Sequence, residues 1–353
     1  MYVNVPMLGI TSIGAGTGTY IRLDPATNRI KLGPDSAGGT PGPTFMEAGN
    51  TTPTINDANL LLGILNEHNY LGGKVKVNKE TSYRLFKEKV ADPLGLGLYD
   101  ACEVCIDLLN VQMREHLVRS LMVGRDLRDY VLLGYGGGGP LHLLPYAGDH
   151  PYKAVITVPW AGGFSAWGGA CMDYAHRRHR TVSVVVAPGM NGAERVAAMK
   201  PVVDIWDQLR GEDVEVPSPG ATIGSAGDVD ALFARFEEIY TRMFTLAGKP
   251  DVGTYHVTEV CVVARVETVK PKLVKHALQG KAPPPDAVKG PRRIYQKGQW
   301  RDADIYRMES MLPGNEVNGL AVIEASNTTL FVPPEWRVRI DEYNVYWMTR
   351  KDR

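Results

Sequence analysis

Apolar residues recur along this chain in two rhythms, one with the 3.6-residue period of a helix and one in short unbroken runs. The longest helical stripe lies in Leu98–Gly124, where Val104, Leu108, Val111, Leu117, Leu121 and Met122 share a side and Gly124 ends the pattern. Asn56–Leu65 predicts a shorter helix that buries Leu60, Leu61, Ile64 and Leu65. Asn78–Val90 predicts another, capped by Asn78, with Lys79, Glu80, Lys87 and Glu88 turned outward. Asn191–Leu209 and Asp228–Leu246 are amphipathic helices by the same spacing. The unbroken runs Tyr130–Tyr135 and Ala154–Val158 are buried strands. From Thr254 onward strands dominate: Tyr255–Val266, Ile294–Tyr295, Val317–Glu324, Thr328–Val332 and Val338–Trp347.

Glycine and proline punctuate these elements. Residues 8–34 predict a β-hairpin interrupted by glycines: an apolar Leu8–Ile13, a turn at Gly14–Gly18, an alternating Tyr20–Leu23, a second turn at Asp24–Asn28, and a return through Arg29–Leu32. Gly33–Asn50 is a long Gly/Pro loop. Gly136–Gly139 follows a strand, and Pro140 starts the next helix. Ala161–Ala175 predicts a small-residue helix, Val214–Gly227 a linker, and Lys281–Arg292 a Pro-rich loop. Strand, glycine turn, helix, strand, helix is the order of an α/β core. The expected organisation is α/β over residues 1–180, a helical segment over 181–250, and a mostly β domain over 251–353.

Composition narrows the classes of function. Lys+Arg and Asp+Glu are equal at 39 each in 353 residues, so the basic footprint of a nucleic-acid binder is missing. The longest apolar runs, Val182–Pro188 and Cys261–Ala264, are strand-sized and far from the ~20 residues of a membrane helix. The opening Met1-Tyr-Val-Asn-Val-Pro has neither the basic nor the apolar region of a signal peptide. Four cysteines are too few for a disulfide framework. These features predict a soluble, cytoplasmic protein.

Candidate chemistry sits mainly on the glycines. In Gly14-Ala15-Gly16-Thr17-Gly18, three glycines in five residues let backbone amides approach an anion, or else make a flexible hairpin tip. Gly136-Gly137-Gly138-Gly139, at the end of a strand and the start of a helix, suits a nucleotide at the carboxyl edge of a sheet, or else tight strand-to-helix packing. His142 stands in the first turn of that helix, as a ligand contact or as a packing histidine. Cys102-Glu-Val-Cys105 falls within a helix and reads as packing, with no second pair to complete a zinc site. His176-Arg-Arg-His179 reads as the solvated basic end of a helix, and Trp336, Tyr343, Tyr346 and Trp347 as β-core.

Ser12-Ile-Gly-Ala-Gly-Thr-Gly18, Gly33-Pro-Asp-Ser-Ala-Gly38 with Pro41-Gly-Pro43, Asn56-Asp-Ala-Asn-Leu60, Gly134-Tyr-Gly-Gly-Gly-Gly-Pro-Leu-His142 and Asp173 follow one another in an order that resembles the hydantoinase A/oxoprolinase family. Val257-Thr-Glu-Val260, Ala303–Met308, Gly314–Ala325 and Val332-Pro-Pro334 look like its acetone and acetophenone carboxylase branch. The Arg-Tyr-x-Gly-Gln segment of the ring-hydrolysing branch is absent, which makes a hydantoinase or 5-oxoprolinase the second choice and a scaffold subunit without nucleotide the third. The resemblance implies the second lobe of an actin-like ATPase fold, in which Gly14–Gly18 binds phosphates and Gly136–Gly139, with His142, contacts the adenosine. It also implies ATP with Mg²⁺ or Mn²⁺, bicarbonate as co-substrate, and a ketone as substrate. Asp35, Ser36, Asp57 and Asn59 are the implied catalytic residues, and no metal ligand is assigned on the chain itself. The first phosphate loop of such folds, Asp-x-Gly-Gly-Thr, does not occur here. Half of the nucleotide site is therefore expected from another subunit or from another part of the polypeptide, beside a hydantoinase B-like subunit.

Overall fold

The computed structural model describes residues 12–121, 126–208, 223–244 and 255–352. They divide into two compact units, one of residues 12–169 with 272–353, the other built on residues 170–271.

The first unit opens on a hairpin of β1 (Thr19–Leu23) and β2 (Ile30–Ser36). Its turn is closed by Asp24, whose Oδ1 accepts from the amides of Ala26 and Thr27, each at 2.9 Å. Helix α1 (Ile55–Leu61) starts at Thr54, which forms a capping box with Asp57. Helix α2 (Lys79–Phe86) starts at Asn78, whose side chain accepts from the Glu80 amide. A π-helical turn at Lys87–Ala91 leads to the single turn α3 (Asp92–Leu94) and the long α4 (Leu98–Leu121). The buried side of α4 follows the expected stripe only in part, with Leu108 and Leu117 packed on the apolar clusters. Ala101, Cys102, Cys105 and Leu109 are fully buried, whereas Val104 and Val111 are each 44% exposed. Small residues let α4 lie close to its neighbours, and cysteine behaves there as a small hydrophobe. Burial holds both thiols protonated, with Cys105 pushed up to about 12. The expected stop at Gly124 lies outside the described residues.

Strand β3 (Val131–Leu133), helix α5 (Gly139–Ala147), strand β4 (Ala154–Thr157) and helix α6 (Phe164–Ala170) follow in the expected order. Helix α6 ends at Ala170 and not at Ala175, because the chain turns into an extended strand from Tyr174.

The second unit holds that strand, β5 (Tyr174–Val186), and helices α7 (Gly192–Gln208) and α8 (Ala226–Phe244). It is completed by β6 (Tyr255–Val266), which pairs antiparallel with β5. Val182, Val184, Val186, Met199, Val229 and Phe233 form its core. His176–His179 lie within β5 and pair with Ala264–Cys261, so they are ladder positions and not a helix end. Most of the expected Val214–Gly227 linker lies outside the described residues, as does most of Leu8–Ile13.

The rest of the first unit is β7 (Val288–Gln296), β8 (Gln299–Arg307), β9 (Glu316–Asn318), β10 (Ala321–Glu324), β11 (Thr329–Val332), β12 (Trp336–Ile340) and β13 (Tyr346–Arg350). Two expected single strands are each two. Val317–Glu324 splits into β9 and β10, which enter different sheets, and Val338–Trp347 turns at Asp341–Asn344. One sheet runs β11-β10-β8-β7. The other runs β3-β4-β13-β12-β9, with β3 and β4 parallel and β4 antiparallel to β13. The C-terminal strands therefore complete a sheet begun by residues 131–157 and do not stand as a body of their own. Strand β4 would otherwise present an open edge next to an apolar core, and the pairing of Tyr346 with Thr157 closes it. The result is an α/β fold with a β-rich C-terminal third.

Candidate functional site

The two glycine segments, more than a hundred residues apart, meet in the first unit. A Cβ added to Gly138 would overlap Thr17 Cγ2, so the backbone of the second segment rests directly on the side chain of the first. Thr17, Gly137 and Gly138 line one cleft of ≈ 140 Å³ together with Asn56, Asn66, Asn69, Tyr70, Glu324 and Asn327.

Gly14–Gly18 turns into β1, with the Thr19 amide on the Gly16 carbonyl at 3.1 Å, and Gly14 lies close on Pro34; the strand expected before it lies mostly outside the described residues. Its shape is locked by Thr19, whose Oγ1 accepts from the Gly16 amide at 2.8 Å. The Thr17 carbonyl accepts from the Asn56 amide at 2.8 Å, which ties the loop to the first turn of α1. Among the described residues nothing lies within 4 Å of a Cβ added to Gly16, so there this backbone is open on one side. Ala15 packs on the apolar core, and Gly18 lies against Ser36 Oγ.

Gly136–Gly139 carries the chain from β3 into α5. The Gly136 amide donates to the Ala161 carbonyl at 2.8 Å. Thr328 Oγ1 reaches the Gly136 and Gly137 carbonyls at 3.2 and 3.3 Å. Asn327 packs on Gly162. Asn327 and Thr328 form the turn between β10 and β11, and neither was among the expected site residues. A turn between two apolar strands gives no sign of which distant loop it touches.

The expected catalytic and ligand residues fall in different places. Asp57 is fully buried. It accepts from Thr44 N, Thr44 Oγ1, Phe45 N, Thr54 N, Thr54 Oγ1 and Ser82 Oγ at 2.5–3.3 Å. With its lone pairs committed, Asp57 anchors the start of α1 and does not face the cleft. Asp35 is exposed and paired with Arg22 across the hairpin at 2.8 Å. Ser36 is exposed and accepts from the Gly38 amide at 3.2 Å. Neither of these two lines the cleft. Asn59 and His142 are buried behind it. Asn59 Nδ2 donates to His142 Nε2 at 3.2 Å, so the proton sits on Nδ1, which faces Asn110 Oδ1 at 3.2 Å. Burial lowers His142 to about 4, and the ring is neutral at pH 7. His142 is therefore a neutral ring held between Asn59 and Asn110, and it is not among the residues that line the cleft.

Glu324 is the cleft's unexpected charge. It is 2% exposed, and it accepts from Lys289 Nζ at 2.5 Å, Asn66 Nδ2 at 3.1 Å and Arg292 Nη1 at 3.2 Å. Burial pushes its pKa up, but Lys289, Arg292 and Asn66 outweigh burial and hold it below the usual carboxylate value. The sequence signal was available: a glutamate closing the apolar run Ala321-Val322-Ile323 at an inward position.

The N-terminus of the nine-residue α5 brings the positive end of a helix dipole to the cleft, while the Gly16 amide is already committed to Thr19 Oγ1. Among the described residues no three His, Cys, Asp or Glu side chains are grouped to hold a metal ion, and no helix is long and apolar enough to cross a membrane.

Known proteins agree with this architecture. Residues 1–178 match the hydantoinase/oxoprolinase family and residues 192–350 the hydantoinase/oxoprolinase C-terminal domain. The acetone carboxylase beta subunit of Xanthobacter autotrophicus is 35% identical over 98% of this chain and 53% of its own length. A nucleotide-free structure of acetone carboxylase superposes with a TM-score of 0.82 at 34% identity, over 96% of this chain and 52% of that one. The ATP-dependent caprolactamase of Pseudomonas jessenii superposes at 0.75 with 26% identity, over 99% and 54%. This chain thus spans about half the length of these relatives, and it belongs to the hydantoinase/oxoprolinase family.

Proposed function

We propose that this chain supplies one lobe of the nucleotide site of a cytoplasmic, ATP-dependent ketone carboxylase of the acetone or acetophenone type. The observation that carries this reading is the seating of Thr17 on Gly138, which brings an open glycine loop and a helix N-terminus to one cleft. Likeness to acetone carboxylase in sequence and fold supports the choice of reaction.

Bound ATP, with its Mg²⁺ or Mn²⁺, supplies the phosphoryl group that activates the ketone enolate, the bicarbonate or both. Phosphoryl transfer asks the protein for positioning and charge more than for covalent help. Amides of Gly14–Gly18 other than that of Gly16, which Thr19 Oγ1 engages, would hold phosphate oxygens, and Gly136–Gly139 would give the nucleotide a flat backbone surface. Asn59 and His142 keep that surface in place without sharing its charge. The opposing wall and the first phosphate loop come from another subunit or another part of the polypeptide, and a hydantoinase B-like subunit completes the complex. The cleft of ≈ 140 Å³ is smaller than the ~300–1,000 Å³ of a complete small-molecule site, so this reading requires further walls from elsewhere.

Likeness to the caprolactamase favours a second reading, ATP-dependent opening of a cyclic amide on the same nucleotide cleft. The deciding experiment purifies the full chain with its co-purifying subunits and measures ATP consumption with bicarbonate plus acetone or acetophenone, and separately with cyclic amides. A β-keto acid formed with ATP consumption supports carboxylation. A ring-opened acid moves the assignment to the amide hydrolase. A wild-type complex that binds no nucleotide analogue leaves only a scaffold role.

A further inference from the structure

Glu324 serves no step described above, yet a carboxylate this buried is costly unless its partners are worth holding. Its three partners lie on two separate elements. Asn66 belongs to the loop after α1, and Lys289 and Arg292 to β7. Arg292 goes further: its Nε donates to the Gly63 carbonyl at 2.9 Å and its Nη2 to the Ile64 carbonyl at 3.0 Å, in the turn that follows α1. The opposite end of α1 holds the first glycine segment, through the Asn56 amide and the Thr17 carbonyl. On its own chain Glu324 ends β10 and opens the tight turn closed by the Ala325 amide on the Thr328 carbonyl at 2.9 Å. Thr328 holds the second glycine segment. Asn69 adds a bond from its side chain to the Ala325 carbonyl at 3.4 Å.

We propose that Glu324 is a positioning residue that sets the two glycine segments relative to one another. One carboxylate stands where the helix that carries Gly14–Gly18 meets the turn that carries Gly136–Gly137. Its charge is what holds Arg292 extended toward the Gly63 and Ile64 carbonyls, because an unpaired guanidinium in this setting would turn to solvent. What the segments are positioned for rests on the nucleotide reading above; that they are positioned by Glu324 does not.

The test separates the two. In the full chain, hydrogen exchange by mass spectrometry is compared between the wild type and Glu324→Gln, which keeps the size and removes the charge. Peptides covering residues 12–19 and 134–140 should both exchange about tenfold faster, while β12–β13 peptides keep their rates. Asn66→Ala, which removes one bond and no charge, should loosen the same two peptides by a smaller factor, and it serves if Glu324→Gln fails to fold. Unchanged rates in either glycine peptide overturn the proposal, as does uniform loosening of the whole unit. Calorimetry with a non-hydrolysable ATP analogue is run alongside. About tenfold weaker binding by Glu324→Gln, partly restored by Glu324→Asp, supports the positioning role; equal affinity of wild type and Glu324→Gln overturns it. A wild type that does not bind at all refutes the nucleotide reading, and the exchange rates still decide the role of Glu324.

Discussion

Gly14–Gly18 and Gly136–Gly139 reach the same cleft by different routes. The first is held by neighbours: Thr19 closes it, and Asn56 and Pro34 flank it. The second is held from a distance, by a threonine 192 residues on in sequence and by the Ala161 carbonyl. A locally held loop keeps its shape as long as its own helix stays folded. A distantly held one depends on the whole unit and is the more easily lost. The two also differ in room, since Gly16 is open and Gly138 is packed on Thr17.

The largest expected effect strikes the support of the first segment. Asp57→Ala strands six donors, two on Thr54 at the start of α1 and four on Thr44, Phe45 and Ser82, and should destabilise the unit by on the order of 4 kcal/mol; chemical denaturation measures it. A loss under 1 kcal/mol would mean that the first segment does not lean on α1.

The support of the second segment is sensitive to pH. Unfolded His142 takes up a proton near 6.5, while the buried ring waits until about 4. The unfolded chain thus binds more protons between these values, so this contribution is intact above pH 6.5 and is lost as pH falls toward 4. Its full extent is ~3 kcal/mol. His142→Gln should flatten the slope of stability over that window, and a slope identical to wild type would detach His142 from it.

Gly138→Asp places a side chain and a negative charge where Thr17 sits. Binding of an ATP analogue should weaken by at least ~100-fold, with the fold retained by circular dichroism. Thr328→Val removes the hydroxyl that holds two carbonyls and should cost ~1–2 kcal/mol, with faster exchange confined to residues 134–140. Spread of that loosening to residues 12–19 would show the segments to be less independent than their contacts suggest.

Gly16→Ala should be the mildest change. A methyl meets nothing within 4 Å among the described residues, so stability should stay within ~0.5 kcal/mol of wild type. Analogue binding should nonetheless fall several-fold, because the methyl covers backbone that a phosphate approaches. Unaltered binding would remove Gly16 from the site.

Local signals carried the helices, most strands and both glycine segments. Thr54 and Asn78 are caps, Asp24 is a turn former, and the apolar runs at 130–135 and 154–158 are strands, each for reasons within a few residues. Motif order was also enough to place the chain in its family. Roles assigned by motif position were less secure. Asp57 and His142 stand in recognisable stretches but are buried and satisfied, and an exposed Asp35 in the same pattern is paired with Arg22.

The sequence by itself determined most of the stretches that are helix, strand and bare backbone, because periodicity, capping and turn chemistry act over neighbouring residues. Only the tertiary structure decided that β12 and β13 finish a sheet started at Val131, that Thr17 rests on Gly138, and that Glu324 binds Asn66 258 residues away. Those contacts are fixed by the closure of sheet edges and the pairing of buried charge. Both depend on where distant segments arrive in space, which no local pattern of side chains encodes.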